Sequence, residues 1–175
     1  MGSEPKMAAM PKGHVSMLDL SARELRDRMA SGALNATDLV QACLERIAAL
    51  EPEIQAWAWL DGGYAMKQAE ALDALRRSGR PTGPLHGLPV ALKDVIDTAK
   101  VPTQNGTLLD EGRVPETDAA IVTRLRAAGA IIIGKTVTAE LAFQHPGKTR
   151  NPHDATRTPG GSSSGSAAAV AAGMV

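Results

Sequence analysis

Apolar positions in this chain change period several times, and each change marks an element. Ser21-Ala-Arg-Glu24 has the spacing of a capping box, in which a serine hydroxyl and a glutamate carboxylate satisfy each other's free amides. Leu25 and Met29 follow at helical spacing and Gly32 closes that helix. A second stripe, Leu39, Cys43, Leu44, Ile47 and Leu50, predicts a helix from Asn35 or Thr37 that Pro52 terminates. Ile54 to Leu60 then alternates like a half-buried strand. After Asp61-Gly-Gly63, residues 64–77 carry Ala65, Ala69, Leu72 and Leu75 as the inward face of a third helix.

Residues 78–87 are rich in Gly and Pro and read as a loop. From it emerges the short apolar strand Leu88-Pro-Val-Ala-Leu92, which runs straight into Lys93-Asp94. Residues 103–115 read as a loop. Asp118 is placed to cap a helix reaching Ala128, with Ile121, Val122 and Leu125 inward. Gly129 to Ile133 is apolar throughout, the signature of a strand buried on both faces. A helical turn is expected within 139–143, a loop over 145–161, and an alanine-rich helix from Ser164 or Ser166 to Val175. Strands alternating with helices make the class α/β, a mixed sheet covered by helices, in one domain over 17–175 with a mobile N-terminal tail over 1–16.

Composition narrows the function. Lys and Arg together number 19, as do Asp and Glu, so no net field draws the chain to nucleic acid or to a membrane surface. Aromatic residues are 2% of the chain, too few for base-stacking platforms. No apolar run approaches the ~20 residues that span a bilayer. Cys43 is the single cysteine, fits a core thiol better than a reactive one, and points to a reducing, cytoplasmic setting.

Three patterns carry candidate chemistry. Gly129-Ala-Ile-Ile-Ile-Gly134-Lys135-Thr136 spells the phosphate-loop expression and offers a nucleotide-binding reading. Its middle residues are β-branched, however, and suit a strand rather than a loop curled round an anion. Gly161-Ser-Ser163-Ser-Gly165 spells a hydrolase nucleophile elbow, but the residues before it form no strand and all four histidines lie upstream.

The third pattern joins Leu85-His-Gly-Leu-Pro-Val-Ala-Leu-Lys93-Asp94 to Pro159-Gly-Gly161-Ser162-Ser163-Ser164-Gly165-Ser166-Ala-Ala-Ala. In this combination the sequence closely resembles the amidase signature family, from about residue 17 to residue 175. The strand through Gly134-Lys135-Thr136, the Thr136 to Phe143 segment and the loops at Asp97-Thr98 and Asn105-Gly106-Thr107 share the likeness.

The resemblance implies hydrolysis of a carboxamide C–N bond through an acyl-serine, with no metal or organic cofactor. It implies that Lys93 takes a proton from Ser162, which takes one from the acylating serine, and that the Gly161–Ser162 peptide is cis. Two glycines there would let the backbone pass closely. Gly160, Gly161, Ser163 and Ser164 would support the substrate, with free amides at the start of the last helix meeting its carbonyl. A lysine works as a base only when neutral, which asks for a fall of roughly 3 units from its reference pKa of about 10.4. Burial at the end of a strand can supply that, and Lys135, which also follows an apolar strand, is the local rival to Lys93.

One departure matters. The family's acylating serine follows in a second Gly-Gly-Ser turn about two dozen residues on, and this sequence holds no such turn. The expectation is therefore an N-terminal part of an amidase, inactive alone. The expected partner is a small amide, with self-association open. The competing reading is a non-catalytic fragment or interaction protein.

Overall fold

The computed structural model describes residues 16–175; residues 1–15, nearly all of the expected tail, lie outside the described residues. Ser16 itself belongs to the folded part. Its side chain accepts from the Leu18 amide and caps a 3-10 turn over Met17–Asp19. Five helices come after it, α1 (Ala22–Ser31), α2 (Ala36–Ile54), α3 (Gly62–Arg77), α4 (Ala120–Ala127) and α5 (Ser164–Ala171). The strands are β1 (Trp57–Leu60), β2 (Pro89–Lys93) and β3 (Ile131–Thr136).

The sheet is mixed, in the order β1-β3-β2, with β1 antiparallel and β2 parallel to β3. All six residues of β3 are buried, as its apolar run predicts. Its isoleucines divide between two faces. Ile131 and Ile133 join α2, α3 and α5 in the larger core, which includes Leu39, Cys43, Ile47, Ala65 and Ala168. Ile132 packs with Leu92 and with Val122 of α4 in a smaller core on the other side. The mixed α/β class is thus as the sequence implies. No helix among the described residues is long and apolar enough to cross a membrane.

The capping box at Ser21 and the left-handed Gly32 form as read. Five readings need correction. Pro52 does not end α2 but sits in its last turn; the helix stops at Ile54, where Gln55 turns left-handed and the Glu51 carboxylate takes the amides of Ala56 and Trp57. The strand is correspondingly shorter than 54–60. Asp118 does not cap α4. Its carboxylate instead accepts from the Ala99 amide and from Arg126, and Ala119 occupies the cap position. Ile121 faces outward on α4 and is 50% exposed. The last helix ends at Ala171 rather than at Val175.

Candidate active site

Lys93 is the last residue of β2, and its Cα partner on β3 is Thr136. Its side chain is half-buried at the strand's exit. Sixty-nine residues later the chain returns, and Lys93 Nζ donates to Ser162 Oγ across 2.6 Å. Ser162 stands on the short approach to α5, where the Gly161–Ser162 peptide is cis. The Ala139 amide donates to the Ser162 carbonyl at 2.8 Å, which ties this approach to the segment leaving β3.

The neighbouring serines and glycines differ in setting. Gly160 has φ +83°, a conformation that favours glycine, and it lies in open space. Gly161 does not sit at a close approach; an added Cβ would meet only Ala139 Cβ, at 3.9 Å. The tight position is Gly165, where a Cβ would lie 2.3 Å from the Ala56 carbonyl oxygen and 2.4 Å from the Val137 nitrogen. Ser163 is exposed at the N-cap of α5 and its side chain makes no capping bond. Ser164 is buried, with its hydroxyl 3.5 Å from the Val137 carbonyl. The Gly165 amide is taken by the same carbonyl at 2.9 Å, so it is not free for a substrate. Beside this approach lies a cleft of about 260 Å3, lined by Gly160, Gly161, Ser164, Ala139, Phe143 and Thr158 among others.

The second lysine is in a different state. Lys135 is fully buried; its ammonium lies 3.2 Å from Asp94 Oδ1 and donates to Thr103 Oγ1. Burial pushes the Lys135 ammonium down and the Asp94 carboxyl up, and their mutual attraction opposes both shifts. Asp94 also accepts from the Gln104 amide, so the pair ties β2 and β3 to the loop that comes after Lys93. The phosphate-loop reading of 129–136 fails here: the segment is a buried strand, and its lysine is engaged internally. Lys135 takes no part in the Lys93–Ser162 contact.

Sequence reasoning misses His86. Its loop setting suggests an ordinary surface histidine, yet it is 4% exposed with neither ring nitrogen hydrogen-bonded. Burial holds its pKa below the ordinary imidazole value, with Asp73 pulling up and Arg76 pulling down. Asp73 escapes such reasoning as well; its carboxylate caps α2 from α3 by taking the amides of Ala36 and Thr37. A polar residue on the inward face of a predicted helix is the available signal.

Comparison with known proteins gives a consistent result. The Amidase family model matches residues 38–175. A glutamyl-tRNA(Gln) amidotransferase subunit from Salinispora arenicola is 44% identical over 162 residues, covering 89% of this chain and 33% of the relative. Its counterpart from Chloroflexus aurantiacus is 46% identical over 153 residues, covering 84% and 31%. Among solved structures, the peptide amidase of Stenotrophomonas maltophilia superposes with a TM-score of 0.82 at 43% identity, over 88% of this chain and 34% of that one. A fatty acid amide hydrolase gives 0.83 at 29% identity, over 90% and 29%. The chain spans about a third of the length of the curated relatives it matches.

Proposed function

The chain belongs to the amidase signature family, and from that premise we propose that it carries the base and relay of an amide-hydrolysing centre. Lys93 accepts the proton of Ser162. Ser162 in turn accepts the proton of an acylating serine as that oxygen adds to the amide carbonyl. The proton then returns by the same route to the leaving nitrogen, and the C–N bond breaks. Water, deprotonated along the relay, cleaves the acyl ester and restores the serine. Side chains alone supply this acid–base chemistry. Gly160, Gly161 and Ser164 line the cleft into which the amide would project, and Ser163 is exposed between the last two in sequence.

The observation that carries the reading is the 2.6 Å bond from Lys93 Nζ to Ser162 Oγ. A serine hydroxyl is a weak nucleophile until a positioned base relieves it of its proton. The two side chains come from segments 69 residues apart, and Gly161, the neighbour of Ser162, lines the cleft. The acylating serine is not part of the relay pair, and with no second Gly-Gly-Ser in the sequence we assign it to chain outside these 175 residues.

Two measurements test this. The purified 175-residue chain is expected to turn over no simple aryl amide; turnover that Lys93→Ala abolishes would show that the nucleophile lies within it. A chimera joining this chain to the downstream two thirds of the Stenotrophomonas maltophilia peptide amidase is expected to hydrolyse peptide amides. In it, Lys93→Ala and Ser162→Ala should each slow acylation by about 10²–10⁴-fold, the range of general acid–base assistance. An active chimera indifferent to both substitutions would overturn the assignment.

A further inference from the structure

Lys93 and Ser162 reach each other from an edge strand and from the entrance to a helix, and something must hold those two in step. β3 touches both. Thr136, its last residue, is fully buried and is the register partner of Lys93. The Thr136 carbonyl accepts from the Asp94 amide at 3.0 Å, fixing the residue next to Lys93. On its other side, the Thr136 hydroxyl lies 2.7 Å from the hydroxyl of Ser166, in the first turn of α5 and four residues beyond Ser162. Apart from the Lys93–Ser162 bond itself, this is the one side-chain-to-side-chain hydrogen bond between that turn and the sheet among the described residues.

The residue types are informative. Ser166 is half-buried beside the small buried positions of α5, which are Ser164, Gly165, Ala168 and Ala169. An alanine at 166 and a valine at 136 would pack there without desolvating a hydroxyl, which is costly unless the hydroxyl is paired. The backbone bonds from Gly165 to Val137 and from Ala139 to Ser162 set how close α5 lies to β3. The angle of α5 about its own axis governs how the Ser162 side chain, two residues before the helix, is presented to Lys93. An O–H···O bond of this length fixes that angle.

We propose that the Thr136–Ser166 hydroxyl pair is a positioning clamp that sets the orientation of α5 and so holds Ser162 on Lys93. Neither residue touches the amide; both act through the relay pair. The inference rests on the reading of Lys93 and Ser162 as that relay.

The test is pH-dependent acylation of lysine amines in the 175-residue chain by acetic anhydride, read residue by residue by mass spectrometry. Ser162→Ala removes the acceptor and is expected to raise the Lys93 rate by about three- to tenfold, the equilibrium worth of one hydrogen bond. Ser166→Ala and Thr136→Val should each reproduce most of that rise and the accompanying change in the Lys93 pH profile. Lys67 and Lys148 should keep wild-type rates. Thr136→Ser, which restores the hydroxyl, should return Lys93 to its wild-type profile. A Lys93 profile unmoved by Ser162→Ala would sink the relay reading itself. A profile moved by Ser162→Ala but not by Ser166→Ala would leave the relay standing and overturn the clamp. If Thr136→Val fails to fold, Ser166→Ala alone decides, since alanine suits this helix.

Discussion

Two buried polar side chains offer the clearest tests at the level of the single residue. Lys135 and Asp94 are taken out of water together, so removing one strands the other. Lys135→Met should lower the unfolding free energy by about 3–5 kcal/mol, measured by urea denaturation. Adding Asp94→Asn, which keeps an acceptor for the Gln104 amide, should recover most of that loss. His86 gives a pH signature. Its folded pKa lies below its unfolded value because burial disfavours the charged ring. The unfolded chain therefore binds more protons as pH falls through about 6.5, and stability that is fully present at neutral pH drains away below it. His86→Leu should remove this loss, so that the wild-type-minus-variant stability difference falls between pH 7 and pH 5. A difference that does not change over that range would mean that the imidazole does not titrate with folding. His86 is not legible in the sequence, because its loop setting does not tell a buried histidine from an exposed one; Lys135 is marked by the apolar strand it follows, but its pairing with Asp94 is not.

Elements are legible where the deciding contacts are local. The capping box at Ser21, the left-handed Gly32 and the apolar run of β3 all form as their spacing implies. Asp118 misleads because its partners, Ala99 and Arg126, are tertiary, and the true cap of α2 is lent by Asp73 from α3. Pro52 misleads for another reason. A proline near a helix end sacrifices few bonds, and Glu51 takes over the amides of Ala56 and Trp57. Of the site, the motif positions of Lys93 and Ser162 are visible through the family likeness, whereas the Ser166 contact is not. The glycine that packing demands at α5 is Gly165. Gly165→Ala should cost about 1–3 kcal/mol through overpacking, seen as a lowered midpoint in thermal unfolding. Gly161→Ala, with room for a Cβ, should leave that midpoint within the small range of surface changes.

For the molecule as a whole, the sheet is its organising layer. β3 is paired on both sides and buried along its length, while β1 and β2 are each paired on one side only among the described residues. Native-state hydrogen exchange should therefore rank the amides of Ile131 to Thr136 as the slowest, with the unpaired edge of β2 exchanging sooner. Equal protection across all three strands would show that the β2 edge is covered in solution. The same sheet sets which side chains meet. Between Val90 and Ala91 the β2–β3 register shifts, so that Ile133 has no counterpart on β2. β2 alternates without interruption, so Leu92 turns to the core while Lys93 turns to Ser162, and past the surplus residue Lys135 and Thr136 keep in step with them. A deletion of the Ile133 codon would accordingly act as a trimming rather than an inversion, straightening the ladder to one residue opposite one and sparing the proton wire, at the loss of a single isoleucine from the larger core.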